Sequence, residues 1–295
     1  MVVIEHGGLS KLDKTAVALG NFDGVHIGHG AVIEAAVNSD GMPVILSFDG
    51  AVREKIMTDS LKKRELEKLG AEALVLLDFA AVRDMSPSEF VCEILVGKLG
   101  ALTVCCGFNY RFGKNAVGDT ELLTKLCGQK GIGVIVRQGV SIGGETVSST
   151  LVRKHLKAGS IEQAEELLGH AYSYDFLVTE GKRLAREMGF PTLNQPFPVD
   201  MLVPKAGVYA SLSRVGSNWL RSVTNIGTQP TVDGKNNISE TYIPGYNGDL
   251  YGQNIEVRPV KFIRPEQKFT NIDDLFGQIK KDEQKALQIL DNVLG

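Results

Sequence analysis

Two histidines three residues apart, with a glycine between them, close the segment Gly20-Asn21-Phe22-Asp23-Gly24-Val25-His26-Ile27-Gly28-His29. The chain holds five histidines, so two in one short turn mark a place where imidazole chemistry is concentrated. Imidazoles beside a phosphate can stabilise a pentacovalent phosphorus and its leaving group. An apolar run, Thr15 to Leu19, precedes the segment and reads as a buried strand. A helical pattern begins near Gly28 and carries Val32, Ile33, Ala35 and Ala36. A glycine-rich turn between a strand and a helix start aims backbone N–H groups and the positive end of a helix dipole at one spot, which suits a phosphate. Gly20, Asn21, Phe22, Gly24 and Gly28 are therefore candidate phosphate-cradle residues, and His26 and His29 the candidate catalytic pair. An ordinary strand–helix turn is the competing explanation, and three glycines, an aspartate and the His-x-Gly-His spacing outweigh it. The segment is neither a dinucleotide fingerprint nor a Walker loop, since Gly-x-Gly-x-x-Gly and Gly-Lys-Ser/Thr are absent.

The elements that must position this turn alternate along the first half of the chain. Apolar runs at Ala16–Leu19, Pro43–Phe48, Ala73–Leu77, Leu102–Cys106 and Val134–Val136 read as strands. Amphipathic segments near 28–38, 60–69, 87–98 and 119–129 read as the helices between them. That alternation implies a parallel sheet covered on both faces. Ser149–Leu156 and Ile161–Leu168 read as the helical close of this domain, with the joint at Gly169-His170-Ala171-Tyr172. After Tyr172 the runs shorten and turn signals multiply, as at Asp233-Gly234, Pro244-Gly245 and Asn247-Gly248-Asp249. Gly207–Leu212 and Ile255–Val260 alternate like strands. An all-β unit closed into a small barrel, with one amphipathic helix from Asp273 to Leu294 packed on it, fits this texture.

Composition narrows the class. At 295 residues the chain is long for one core and comfortable for two domains. A hydrophobic content of 43% with 23% charged residues is that of a globular protein, and a net charge of −3 gives no electrostatic reason to expect nucleic acid. No apolar run reaches membrane-spanning length, and the N-terminus lacks the layout of a signal peptide. Cys92, Cys105, Cys106 and Cys127 form no Cys-x-x-Cys pair, which favours reduced thiols in a cytoplasmic protein over a zinc site.

Further residues could bind ligands. Asp49 closes the Leu46-Ser47-Phe48-Asp49 strand at its carboxyl end, where ligands of open α/β sheets sit. In Gly107-Phe108-Asn109-Tyr110-Arg111-Phe112-Gly113, the aromatics, the Asn109 amide and the Arg111 guanidinium suit a flat heteroaromatic ring. Ser148, Ser149 and Thr150 at a helix start offer caps and hydroxyls to phosphate, and Arg153 lies one turn on from Ser149. In Gly189-Phe190-Pro191-Thr192-Leu193-Asn194, Thr192 and Asn194 point to one face of a strand. Their hydroxyl and amide oxygens suit a hard cation such as Mg2+.

The His-x-Gly-His spacing resembles the signature of nucleotidyltransferases, and Ser-Ser-Thr-x-x-Arg at 148–153 is similar to that class's second hallmark. The longer Gly-Asn-Phe-Asp-Gly-Val-His-x-Gly-His resembles the prokaryotic bifunctional riboflavin kinase/FAD synthetase family. Pro-Thr-Leu-Asn at 191–194 is similar to that family's Pro-Thr-Ala-Asn motif, and the likeness runs from about residue 3 to 290. It implies a nucleotidyltransferase-type Rossmann-like α/β domain over 1–168, for FMN adenylyl transfer. A riboflavin-kinase-like barrel with a C-terminal helix follows over 169–295. It implies riboflavin, FMN, FAD and ATP as substrates or products and Mg2+ as cofactor, with flavin near Asp49, Asn109 and Arg111. It places Mg2+–nucleotide at Thr192 and Asn194, and a catalytic carboxylate at Glu240. No nucleic acid or membrane partner is implied, and a homo-oligomer is left open. Two departures stand out. The family's Pro-His-Pro run after Asp49 is Gly50-Ala51-Val52 here. Its Gly-x-Gly-Arg stretch is Arg183-Leu184-Ala185-Arg186, where Arg186 is a candidate replacement phosphate ligand. These departures keep two alternatives in play: one active site only, most simply a FAD synthetase with a weakened kinase, or a non-catalytic flavin-binding regulatory protein.

Overall fold

The computed structural model describes residues 1–180, 191–231 and 234–294. They form two compact units: Met1–Lys55 with Asp59–Ser149, and Ile56–Thr58 with Thr150–Gly295.

The first unit is built on six strands, β1 (Val2–Glu5), β2 (Thr15–Leu19), β3 (Met42–Asp49), β4 (Ala73–Asp78), β5 (Ala101–Gly107) and β6 (Gly133–Arg137). They pair in the order β1-β4-β3-β2-β5-β6, every pair parallel. The five expected strands are all present, and β1 adds an edge the sequence reading passed over. Its Val2 and Val3 are exposed, so it lacks the buried apolar run that betrays a central strand. All five residues of β2 are buried, as a strand covered on both faces requires. From β2 the chain goes one way to β3 and β4, then returns to lay β5 on the other side of β2. The order therefore reverses at β2, and a crevice opens at the carboxyl ends of β2 and β5. Helices α1 (Ile27–Val37), α2 (Asp59–Lys68), α3 (Phe79–Val82), α4 (Pro87–Glu89, continued by a π-helical stretch Phe90–Lys98) and α5 (Thr120–Gly128) connect the strands. Leu19, Val44, Leu46, Val75, Phe90, Leu95 and Val104 lie in its apolar core. Burial of each such side chain contributes about 1.5–3 kcal/mol. A two-stranded hairpin, β7 (Ser141–Ile142) with β8 (Glu145–Thr146), precedes α6 (Ser149–Ala158).

The second unit contains most of α6, then α7 (Ile161–Leu168), which the sequence pattern had assigned to the close of the first domain. The reason is visible in side-chain pairing. Glu165 receives Arg258 (Nη2 to Oε2, 3.2 Å), and Glu162 pairs with Lys261 at 3.0 Å, so α7 lies along the second unit's sheet. That sheet has β9 (Tyr174–Leu177), β10 (Thr192–Pro196), β11 (Gly207–Val215), β12 (Asn218–Thr231), β13 (Gly234–Tyr242) and β14 (Asn254–Arg264). The strands pair antiparallel in the order β10-β13-β12-β11-β14-β9. Just past β9, Thr179 bridges Asn194 of β10, its N–H donating to the Asn194 carbonyl at 2.8 Å, so the sheet nearly closes into a barrel. Inside, Gln195 donates to the carbonyls of Phe176 and Ile255 at 2.7 and 2.8 Å and ties those strands together.

The barrel interior carries hydroxyls. Ser213 donates to Ser222 (2.9 Å), and contacts then run Ser222–Ser211 (2.8 Å), Ser211–Thr224 (2.7 Å), Thr224–Thr241 (2.8 Å), Thr241–Ser239 (3.4 Å) and Ser239–Tyr174 (2.7 Å). Small side chains let six strands close tightly, and mutual hydrogen bonds remove the cost of burying each hydroxyl. The opposite face of β11 presents Ala210 and Leu212 to Ala286 and Leu290 of α8 (Ile272–Leu294), the expected amphipathic helix. Arg264 clamps Asp282 of α8 with Nε–Oδ1 at 3.0 Å and Nη2–Oδ2 at 2.7 Å. A two-pronged guanidinium–carboxylate pair fixes orientation as well as distance.

Candidate functional site

The turn from Gly20 to His26 sits at the carboxyl end of β2, at the point where strand order reverses. Its backbone is forced into an unusual shape: Phe22 has φ 48°, Gly24 φ 82° and Val25 φ 41°. Glycine takes this region freely, but a β-branched valine does not, at a cost of about 1–3 kcal/mol. The turn is held by what it packs. Phe22 and Val25 are buried, and a Cβ on Gly20 would stand 3.2 Å from the Phe22 ring. Gly28 has a similar constraint, since a Cβ there would lie 3.2 Å from His26 Nδ1.

His26 caps α1. Its Nδ1 accepts the His29 N–H at 3.2 Å, so Nε2 is the nitrogen left to carry a proton, a donor suited to a phosphate oxygen. The His29 ring stacks on it with centroids 3.5 Å apart and planes 12° apart, and Phe22 meets His29 edge-on at 5.2 Å. Burial pushes the His29 pKa well below its ordinary 6.5, and the nearby His26 and Lys62 push it further the same way. His29 is therefore neutral at pH 7. Its Nδ1 is buried with no hydrogen-bond partner among the described residues. Two stacked imidazoles at a helix start, one of them held neutral, can donate to an anion, and they gain most when charge grows on it.

The other candidates of the first unit divide. Ser149 begins α6 and is the last residue of the first unit, and its hydroxyl donates to the Asp23 carbonyl of the turn at 2.8 Å. Ser148 lies just before the helix; Thr150 and Arg153 follow on it, Arg153 one turn after Ser149. Asp49 ends β3, its Oδ1 accepting the Gly50 N–H at 2.9 Å, and its charge reaches Lys62. In the 107–113 loop, Tyr110 and Phe112 stack at 6.0 Å and pack on the core, so these aromatics anchor the loop. Asn109 is left exposed, and Arg111 pairs with Asp119 at 3.7 Å across the surface.

Lys62 was missed by the sequence reading. It lies on α2, one turn before buried Leu66 on the same face, and that placement was the available signal. Its Nζ donates to the Asn21 carbonyl and to Ser47 Oγ, both at 2.7 Å, while Ser47 Oγ donates to the same carbonyl at 3.0 Å. Burial lowers its pKa to about 8, against the opposing pull of Asp23, Asp59 and Asp49.

In the second unit, register does the positioning. Asn194 of β10 stands opposite Glu240 of β13, which stands opposite Asn225 of β12. Thr192, two residues from Asn194, shares its face, opposite Tyr242. Directly opposed residues on neighbouring strands have Cα atoms about 4.5–5.5 Å apart, so these side chains form one row. Asn194 turns its amide nitrogen to the Thr192 carbonyl at 3.3 Å, leaving Oδ1 as an oxygen donor for a hard cation. Glu240 is half-buried. Mg2+ typically keeps several waters and takes few protein oxygens, so the Thr192 hydroxyl and Asn194 amide fit it. Among the described residues no cluster of three or more His, Cys, Asp or Glu could hold a metal. Arg186, with the rest of Arg183-Leu184-Ala185-Arg186 and Gly189-Phe190, lies outside the described residues.

Known proteins match both units. Residues 9–151 match the FAD synthetase family model, and residues 168–290 match the riboflavin kinase model. The bifunctional riboflavin kinase/FMN adenylyltransferase of Escherichia coli is 34% identical over 92% of this chain and 91% of its own length. Its namesake in Listeria monocytogenes is 33% identical over 91% of this chain and 90% of its own, and that of Bacillus subtilis 31% over 95% and 94%. A solved Streptococcus pneumoniae structure, described as a macrolide-efflux protein, superposes with a TM-score of 0.85 at 25% identity, covering 96% of this chain and 98% of its own. Among the described residues of this chain, no helix is long and apolar enough to cross a membrane. The chain belongs to the bifunctional riboflavin kinase/FMN adenylyltransferase family.

Proposed function

From that membership we propose that the chain converts riboflavin and ATP to FMN and ADP, then FMN and ATP to FAD and pyrophosphate. The observation that carries this reading is the coexistence of two phosphate chemistries on one chain: a stacked histidine pair at a helix start, and a Thr–Asn–Glu row on a barrel. We assign adenylyl transfer to 1–168 and riboflavin phosphorylation to 169–295, with α6 and α7 as the segment between the two family matches.

In adenylyl transfer an FMN phosphate oxygen attacks the α-phosphorus of ATP. The bond from that phosphorus to the β-phosphate oxygen breaks, and pyrophosphate leaves. No protein nucleophile is needed. His26 and His29 donate N–H to oxygens whose charge grows in the transition state, and the rigid turn holds those donors in place beforehand. The Gly20–Gly28 backbone, Ser148, Ser149, Thr150 and Arg153 bind phosphate in this reading, and Asp49, Asn109 and Arg111 lie toward the flavin. In phosphorylation the riboflavin 5′-hydroxyl oxygen attacks the γ-phosphorus, ADP leaves, and Glu240 takes the hydroxyl proton. Thr192 and Asn194 would hold Mg2+, which when bound neutralises triphosphate charge. Arg186 would add a phosphate contact. The compartment that fits these substrates is the cytoplasm.

The test is to incubate purified protein with riboflavin, ATP and Mg2+ and separate the flavins by chromatography. FMN should form first and FAD after it. A dedicated FAD synthetase is the second reading, favoured by the glycine-free Arg183-Leu184-Ala185-Arg186. It wins if FMN gives FAD while riboflavin stays unchanged. If neither product forms, the enzymatic reading fails.

A further inference from the structure

The closed triangle of Lys62, Ser47 and the Asn21 carbonyl has no assigned role, and it lies beneath the histidine turn. A carbonyl oxygen in a phosphate-binding turn is a liability, because it repels the anion that the neighbouring N–H groups attract. Here that oxygen accepts two hydrogen bonds, from Lys62 Nζ at 2.7 Å and Ser47 Oγ at 3.0 Å. The lysine also donates to Ser47 Oγ at 2.7 Å, which fixes the hydroxyl's direction. Two of its three N–H donors are thus used, one on the turn and one on Ser47 of β3.

We propose that Lys62 is a positioning residue of the adenylyl-transfer site, which occupies the Asn21 carbonyl and, with Ser47, holds the Gly20–Gly24 turn in its anion-accepting shape. The inference rests on the adenylyl-transfer reading of this unit. The geometry is supported by electrostatics. Burial disfavours the ammonium, Lys55 does too, and Asp23 of the turn, Asp59 of α2 and Asp49 of β3 restore part of its charge. A cation kept under the turn despite burial is costly unless it serves the charge that arrives there. The same cation acts on His29 together with His26, and both push it toward the neutral form.

The experiment compares Lys62→Met, Lys62→Arg and Ser47→Ala in the full chain. The first measurement needs no substrate: the His29 titration followed by NMR. In Lys62→Met the midpoint should move upward, and in Lys62→Arg it should stay near the parent's. The second is conversion of FMN and ATP to FAD, with riboflavin phosphorylation in the same sample as the folding control. For Lys62→Met, kcat should fall about tenfold to hundredfold, the scale of a lost hydrogen bond to a charged group. Ser47→Ala, which frees one bond to the carbonyl, should fall less. An unmoved His29 midpoint, or a moved midpoint with unchanged kcat, overturns the proposal. If Lys62→Met does not fold, an unchanged kcat in Ser47→Ala overturns it instead. If the parent makes no FAD from FMN, it is the functional reading that fails, while the His29 titration still reports whether Lys62 acts on the turn.

Discussion

On the proposed reading, the two units handle phosphate by opposite means. In the first, the backbone does the work. A turn with three residues at positive φ is locked by buried Phe22 and Val25, and both histidines are fixed by a cap and a stack. In the second, the backbone is a regular antiparallel ladder, and the candidate residues are side chains that register places in one row. The difference teaches where each site is fragile. The turn is sensitive to any atom added to its glycines, whereas the row is sensitive to the chemistry of single side chains.

The sharpest way to separate the two is Glu240→Gln, which keeps shape and removes the proton acceptor. Riboflavin phosphorylation should fall by roughly two to four orders of magnitude, the range for a general base, while FMN to FAD persists. Loss of both activities in a folded protein would break the two-site comparison. Next in size, His29→Ala should slow adenylyl transfer by about a hundredfold, as for other lost transition-state donors, and leave phosphorylation intact. Steady-state assays with FMN as the only flavin check it. A stability test comes third. Asp282 is buried against Arg264, so Asp282→Ala strands a guanidinium and should destabilise the second unit by about 3 kcal/mol in urea unfolding. The first unit's transition should not move.

The smallest effect is the dependence of stability on pH. Burial, then His26, then Lys62 hold His29 below its ordinary 6.5. The unfolded chain therefore binds a proton that the folded chain refuses. The stability from neutral His29 is fully present above pH 6.5 and is lost as pH falls below it. Urea midpoints at pH 7.5 and 5.5 should show the first unit weakening more than the same unit in His29→Asn. Equal losses would remove the burial of His29 from the comparison.

Much of the first unit was legible because its signals are local. Strand runs, helix periods and the Gly20–His29 segment are all contiguous, and the structure places that segment at the reversal of strand order. Lys62 was not legible as a site residue, since its partners Asn21 and Ser47 are distant in sequence. In the second unit, alternation located β11 and β14, two of the six strands, and did not say which face is the inside. Ala210-Ser211-Leu212-Ser213 looks like apolar residues inward and serines to water. Instead the serines line the interior, and the apolar residues meet α8. Alternation shows that two faces differ, and only the tertiary partner says which is the inside. The placement of α7 was illegible for a similar reason, because it depends on Glu162 and Glu165 meeting strand residues nearly a hundred positions later.

The hydroxyl row inside the barrel adds a second kind of connection between its strands. Each hydroxyl owns one proton, so a row in which every member passes its proton on can point only one way or the other. Ser213 donates to Ser222, and in each later contact on to Tyr174 either oxygen can be the donor. Strands far apart in the chain thereby share one hydrogen-bonded row. Turning one hydroxyl changes what its neighbours are offered, so the interior of this barrel couples its strands through proton positions as well as through the backbone ladder.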